Sequence, residues 1–199
     1  AYENKKAVLM MNQQAEISIL ILAPVLTVFL IFINWIVIIL YSTKFIPVNG
    51  MIHWAALGMY FKAASFSIAY LLLAKGASKI FFWSELVANS YMLIFNILGY
   101  KYFGLDGLGI SFLCSYIVGI IQAYFIAHYK YKFVFNGEFY KVFGVQFFIG
   151  LVCFFIIKFI PSPWAHVYGV IFIFISAWYS LKELDKRMDL KSIINNFKK

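Results

Sequence analysis

Charged side chains are scarce in this sequence, and acidic ones are the scarcest. Asp and Glu number eight among 199 residues, and Lys and Arg seventeen, so that 13% of the residues are charged while 64% are hydrophobic. A soluble domain typically has about a quarter of its residues charged. The composition therefore excludes an ordinary soluble domain and indicates a chain whose surface faces lipid.

The sequence also lacks the patterns of the common enzyme classes. It contains no HExxH, GxSxG or phosphate-loop motif. Two histidines, His53 and His166, fall near one end of the hydrophobic runs and His128 near the other, which excludes a three-histidine zinc site. The connecting segments are too short to carry the carboxylates of a glycosyl-transferring enzyme. We predict that the chain is not an enzyme and has no catalytic residue, metal site or cofactor.

Cysteine is nearly absent. Cys114 and Cys153 lie in separate hydrophobic runs and match no metal-ligand spacing, so we interpret them as small core residues and not as a disulfide. The chain begins at Ala1, in a polar stretch without the features of a signal peptide. We interpret it as a piece of a longer protein.

Long hydrophobic runs, by contrast, fill most of the sequence. A hydrocarbon core about 30 Å thick is crossed by about 20 helical residues, and backbone groups in lipid must form their hydrogen bonds within the segment. The connections are short, so consecutive helices pack antiparallel. We predict an all-α integral membrane protein with six spans, at residues 17–41, 51–73, 80–100, 105–128, 139–160 and 163–181.

The basic residues predict the orientation, because Lys and Arg near span ends stay on the cytoplasmic side. Of the seventeen Lys and Arg residues, three fall on one face of the predicted bundle and one lies inside a span. The other thirteen fall on the face that holds both chain ends, which we therefore predict to be cytoplasmic: Lys5, Lys6, Lys75, Lys79, Lys130, Lys132, Lys141, Lys182, Lys186, Arg187, Lys191, Lys198 and Lys199. This placement along span ends indicates a membrane topology, and no nucleic-acid partner is expected.

Two segments lie outside the predicted lobe at 17–181. Residues 1–16 are predicted to be a cytoplasmic linker into the first span. In residues 182–199, apolar residues recur at helical spacing against Lys186, Arg187, Lys191 and Lys198; the apolar residues are Leu184, Met188, Ile193, Ile194 and Phe197. This pattern predicts a short basic amphipathic helix on the cytoplasmic leaflet, and a disordered tail is the alternative.

One basic residue, Lys62, lies inside a span. It is near the middle of the second span, where a lysine costs about 2.5–3.5 kcal/mol to insert. Such a residue faces protein or water, so Lys62 either lines a substrate path or has a structural role within the bundle. Glu85, in the next span and nearer the cytoplasmic end, is close enough to be a partner.

Polar side chains form stripes on three predicted spans. They are Thr27 and Asn34 above Pro24 in the first span, Glu85, Asn89 and Asn96 in the third, and Ser111, Ser115, Gly119 and Gln122 in the fourth. Such residues either hold helices together or line a path, and a proline inside a helix can bend it. Because the stripes cluster near Lys62, we predict that spans one to four border a hydrated cavity. Spans five and six are then the outer, lipid-facing helices.

Three short segments carry a family resemblance. They are residues 12–16 (NQQAE) ahead of the run with Pro24, residues 41–45 (YSTKF) and residues 102–111 (YFGLDGLGIS). With these segments the chain resembles the C-terminal half of bacterial O-antigen or polysaccharide flippases, in the multidrug, oligosaccharidyl-lipid and polysaccharide exporter superfamily. The resemblance extends over essentially the whole chain.

The resemblance implies one lobe of a two-lobe, twelve-helix transporter in the bacterial inner membrane. Its implied partners are membrane lipids, the missing N-terminal lobe of the same protein, and a lipid-linked oligosaccharide as substrate. Members of this family move undecaprenyl-diphosphate-linked repeat units to the periplasmic leaflet by rocking one lobe against the other. Cationic side chains often line the cavity in the family, and Lys62 matches them by character.

Other functions stay open at the level of sequence. A drug or cation antiporter of the same superfamily has the same architecture but favours acidic residues in its cavity. A membrane enzyme, such as an acyltransferase or a polysaccharide polymerase, needs carboxylates on its loops or a histidine within the membrane. In a scaffold subunit without transport activity, the polar stripes only hold the helices together.

Overall fold

The computed structural model describes residues 2–188, with side chains from Lys6 onward, and 92% of it is helical. The described part contains no strand and has five long helices, all of them long and apolar enough to cross a membrane. A 3₁₀ helix, Thr43–Val48, joins the first two. The all-α class is thus confirmed, with α1 at Tyr2–Leu40, α2 at Asn49–Ala74, α3 at Ser78–Tyr131, α4 at Gly137–Phe159 and α5 at Trp164–Met188.

Helix α3 folds back on itself near its middle. As a straight helix, its 54 residues would extend about 80 Å, which is more than twice the thickness of a hydrocarbon core. Gly104 interrupts the helix with φ 60° and ψ −136°, a conformation that residues with a side chain rarely adopt. The two parts, residues 78–103 and 105–131, are called here the first and second arms.

Hydrogen bonds join the two arms. The Ser111 hydroxyl in the second arm donates to the Phe95 carbonyl oxygen over 2.6 Å. The Gln122 amide donates to both the carbonyl and the hydroxyl oxygen of Ser84, each over 2.9 Å. Residue 111 is thus bonded to residue 95, and residue 122 to residue 84. Because the residue number falls in the first arm as it rises in the second, the arms are antiparallel neighbours.

Helix α1 lies at the centre of the bundle. It packs against α2, α4 and α5, whereas α3 packs almost wholly on α2. Buried apolar residues form two clusters along α1, one around Ile19 and Leu71 and the other around Leu30 and Tyr60. The long hydrophobic stretch of α1 is thus partly a core sequence and not only a lipid-facing one.

The last two spans, which the sequence predicts to be the outer helices, are no more exposed than α3. In the most apolar part of each helix, 17% of the residues are buried in α3, against 39% in α4 and 22% in α5. Gln146 of α4 makes buried hydrogen bonds with Ser176 and Ser180 of α5, and this pair of helices packs on α1. Helix α3 instead pairs its two arms with each other, which leaves its outer faces exposed.

An ion-pair cluster joins three helices at the end of the bundle nearest the N-terminus. Arg187 of α5, with 11% of its side chain exposed, contacts Glu16 of α1 and Glu183 of α5 at 2.6 Å and Glu138 of α4 at 3.5 Å. Nearby, the Asn12 side chain bonds to the segment that precedes α4. These contacts join helix ends that the sequence predicts to be cytoplasmic.

The predicted terminal segments and cysteines differ in part from the structure. Residues 2–16 of the predicted linker belong to α1, residues 182–188 of the predicted tail continue α5, and residues 189–199 lie outside the described residues. Both cysteines are free; Cys153 is buried as predicted, but Cys114 is exposed. The core interpretation of Cys114 is wrong because its neighbour Leu113, and not Cys114, packs against α2.

A side chain at Gly99 is expected to separate the arms of α3. A Cβ there would overlap the Ser111 hydroxyl and the Gly107 carbonyl oxygen, and the backbone oxygen cannot move aside. We expect Gly99→Leu to lower the free energy of unfolding by about 1–3 kcal/mol, measured as a lower Tm of the purified protein in detergent. Gly144→Leu is the matched control, because no atom lies within 4 Å of a Cβ at Gly144. Equal Tm values for the two variants would contradict the close packing of the arms.

Candidate ligand cavity

A cavity of about 400 Å³ lies between α2 and the two arms of α3. Lys62 and Phe66 of α2 form one wall, Glu85 and Asn89 of the first arm another, and Ser115, Tyr116 and Gln122 of the second arm the third. Small-molecule sites typically have volumes of about 300–1,000 Å³. The cavity is therefore large enough for the polar part of a ligand, and its walls carry one cation, one anion and several neutral polar groups.

The ammonium of Lys62 lies over aromatic rings. Its Nζ is 5.1 Å from the centre of the Tyr116 ring and 5.9 Å from the centre of the Phe66 ring. The face of an aromatic ring attracts a cation within about 6 Å. Within residues 6–188, Lys62 takes part in no ion pair. Its charge is thus stabilised by the rings and not neutralised by a carboxylate.

Glu85 lies on a different wall of the same cavity and is exposed on the first arm. The pairing with Lys62 that the sequence allowed does not form, because the ion pairs of the described residues involve only Glu16, Glu138 and Glu183 as acids. Asn89, one turn further along, donates to the Glu85 carbonyl oxygen over 2.8 Å. The cavity therefore holds a cation and an anion on separate walls, neither of them paired.

Ser115 is the most buried polar residue among those that line the cavity. It is 2% exposed, and its Oγ has no hydrogen-bond partner in the described part of the chain. A buried hydroxyl without a partner costs about 1–3 kcal/mol. Ser115 precedes Tyr116, the residue on whose ring the Lys62 ammonium lies.

Two other predicted site residues serve mainly to hold helices together. Ser111 donates to the Phe95 and Gly107 carbonyl oxygens and does not line the cavity. Gln122 does line it, but its amide nitrogen is bonded to Ser84 of the first arm. In both cases the polar side chain closes the hairpin of α3.

The remaining predicted residues lie away from the cavity. Asn96 is half-buried on the first arm, and its Oδ1 has no partner among the described residues. Asn34 is exposed, and its Oδ1 accepts a hydrogen bond from Asn49 at the start of α2 over 3.1 Å. Pro24 lies inside α1, where its carbonyl oxygen accepts from Thr27 over 2.7 Å. The first span thus contributes no wall, contrary to the prediction, because α1 packs mainly on α2, α4 and α5.

The aromatic residues of the site were missed by the analysis of the sequence. Phe66 follows Lys62 by four residues and so shares its helix face, which is a signal that the sequence does contain. Tyr116 gives no such signal, because it reaches Lys62 only after α3 has folded against α2. Aromatic residues make up 21% of this sequence, so their presence alone does not single out a site.

A second, smaller cavity of about 140 Å³ lies at the opposite end of the bundle from Arg187. His53, Asp106 and Lys158 line it together with Trp54. The His53 ring nitrogen Nε2 is 3.1 Å from the Leu30 carbonyl oxygen. No group of three His, Cys, Asp or Glu side chains within the described residues is placed to hold a metal ion.

Comparison with known proteins adds no family assignment. No protein-family model matches the chain, and neither a curated protein nor a solved structure matches it. The resemblance to polysaccharide flippases therefore stays a prediction. The function has to be argued from the cavity.

Hydration of the cavity is testable with single cysteines in a variant with both native cysteines changed to alanine. Ala88 lines the cavity, whereas its neighbour Val87 is 52% exposed and does not. A thiol reacts as its thiolate, which forms in water and not in hydrocarbon. We expect Ala88→Cys to react at least about tenfold faster than Val87→Cys with a charged methanethiosulfonate reagent. Equally slow reactions would contradict a hydrated cavity.

Proposed function

We propose that this chain is one lobe of a transporter in the bacterial inner membrane. Its substrate is a lipid-linked anionic glycan of the undecaprenyl-diphosphate-linked oligosaccharide class. The observation that carries the proposal is the cavity between α2 and α3, with the unpaired Lys62 on its wall. The resemblance of the sequence to polysaccharide flippases supports the same substrate class.

The physical requirement for such a transporter is a polar route at the middle of the bilayer. A diphosphate cannot cross hydrocarbon unaided, because an unpaired charge loses its hydration there. Lys62 lies at the centre of α2, Asn49–Ala74, where that loss is greatest. A cation on the wall at this depth offsets the negative charge of the headgroup, while the lipid tail stays in the bilayer.

We also propose that the two arms of α3 cross the membrane separately, giving six spans. Each arm has about 26 residues and extends about 39 Å, enough to cross the hydrocarbon core once. Six spans place both chain ends on one side, and the excess of Lys and Arg there favours the cytoplasm. The exposed outer faces of α3 suit contact with lipid or with a second lobe that closes the cavity. Movement of one lobe against the other then provides alternating access.

A drug or cation antiporter of the same superfamily is the second candidate. One observation favours it: Glu85 lies in the same cavity and is not paired with a cation. An unpaired carboxylate attracts cations or exchanges protons. The two candidates therefore differ in which charge, Lys62 or Glu85, contacts the substrate.

Removal of the Lys62 charge is expected to stop translocation of a lipid-linked glycan. In proteoliposomes with the full-length protein and a labelled undecaprenyl-diphosphate-linked sugar, we expect Lys62→Gln to slow the appearance of label in the other leaflet by at least about tenfold, because the diphosphate loses its counter-charge. Lys62→Arg is expected to retain activity. Lys79→Gln, at an exposed lysine outside the cavity, is the matched control.

The same assay separates the two candidates. Wild-type rates for Lys62→Gln, at equal amounts of reconstituted protein, would contradict the proposed function. Loss of cation-driven drug transport in Glu85→Gln, with no glycan translocation by the wild type, would establish the antiporter instead.

A further inference from the structure

The Ser115 hydroxyl differs from the other serine hydroxyls around it. Ser65 donates to the Lys62 carbonyl oxygen over 2.9 Å, and Ser67 donates to the Ala64 carbonyl oxygen over 2.8 Å. Ser111, one turn before Ser115, donates to two carbonyl oxygens. The Ser115 hydroxyl is buried and, within the described residues, has no such partner. Helix packing therefore does not account for this polar group.

Ser115 and Lys62 lie on adjoining walls of the cavity. Helix α2 and the second arm are in close contact there, since a Cβ at Gly58 would be 3.2 Å from the Leu113 Cα and 3.2 Å from the Tyr116 ring. The Lys62 ammonium extends to the Tyr116 ring, 5.1 Å from its centre, and Ser115 is the preceding residue on the same arm. The residue with the unpartnered hydroxyl group and the residue with the unpaired cation thus both line the same cavity.

We propose that Ser115 and Lys62 together form a subsite for one anionic oxygen group of the ligand, a phosphate in the substrate proposed above. The Ser115 hydroxyl donates a hydrogen bond to an anionic oxygen, and the Lys62 ammonium supplies the opposite charge. This inference rests on the proposed function and names the residue that positions the charged end of the substrate.

The first arm fixes the opposite end of the ligand. Glu85 repels an anionic group, so the phosphate lies toward Lys62 and Ser115, away from the first arm. The Glu85 carboxylate and the Asn89 side chain then face the part of the ligand that carries neutral hydroxyl or amide groups, as a sugar does. The separation of the two charges therefore gives the ligand one direction in the cavity.

Binding of a simple probe tests the subsite. With the full-length protein in nanodiscs, farnesyl diphosphate and farnesol are titrated by isothermal calorimetry, and the ratio of their Kd values measures recognition of the anionic group. We expect Ser115→Ala to weaken binding of the diphosphate by about tenfold and to leave farnesol binding unchanged, as loss of one hydrogen bond to a charged group predicts. Ser115→Thr is expected to retain most of the affinity.

Matched variants separate the subsite from a purely structural role. Ser67→Ala also removes a buried serine hydroxyl, but away from the cavity, and is expected to leave both Kd values unchanged. The double variant of Ser115→Ala and Lys62→Gln is expected to lose less affinity than the sum of the single changes, because the two groups bind the same phosphate. If Ser115→Ala lowers the Tm, Ser115→Cys replaces it as a variant of similar size and weaker hydrogen bonding.

The outcomes distinguish this inference from the proposed function. Unchanged diphosphate affinity in Ser115→Ala and Ser115→Cys, with weakened affinity in Lys62→Gln, would overturn the subsite and leave the proposed function standing. A wild-type protein that binds farnesol as tightly as farnesyl diphosphate would overturn both. Weakened diphosphate binding in the Ser115 variants, at wild-type Tm and with unchanged farnesol binding, would establish the subsite.

Discussion

The reversal of α3 at Gly104 is the constraint on which the cavity depends. It sets the two arms antiparallel, and the arms are held by the hydroxyl of Ser111 and the amide of Gln122. Those two groups are bonded inside the hairpin. The face of the first arm that carries Glu85 and the face of the second arm that carries Ser115 both border the space next to α2. A straight α3 would place the two arms end to end, and no three-walled cavity would form.

Two cations of the bundle, Arg187 and Lys62, have different surroundings. At the end of the bundle, Arg187 is surrounded by Glu16, Glu183 and Glu138, so its charge is compensated by carboxylates from three helices. In the middle of α2, the Lys62 ammonium lies over aromatic rings and forms no ion pair within residues 6–188. A compensated cluster fixes helices in place. A cation that lies over aromatic rings beside a cavity remains able to bind an anion. This difference between Lys62 and Arg187 supports a functional role for Lys62.

Part of the candidate site could be predicted from the sequence and part could not. Lys62, Glu85, Asn89, Ser115 and Gln122 were predicted from their positions within apolar runs, and all five line the cavity. Ser111, Asn96 and Asn34 fit the same spacing rule but lie outside the cavity. Spacing identifies the face of a helix, but the neighbour that covers this face depends on how the helices are arranged.

The sequence by itself determined the helical class, the apolar character of the long helices and the depth of Lys62 within its helix. These properties follow from hydropathy and from the rise of a helix per residue, both of which are local. Tertiary structure alone decided that α1 is central, that α3 packs almost wholly on α2, and that the ring of Tyr116 meets Lys62. Nearly every span in this chain is apolar on most of its surface, so hydropathy cannot choose between lipid and another helix. Close packing at small residues and a few buried hydrogen bonds make that choice.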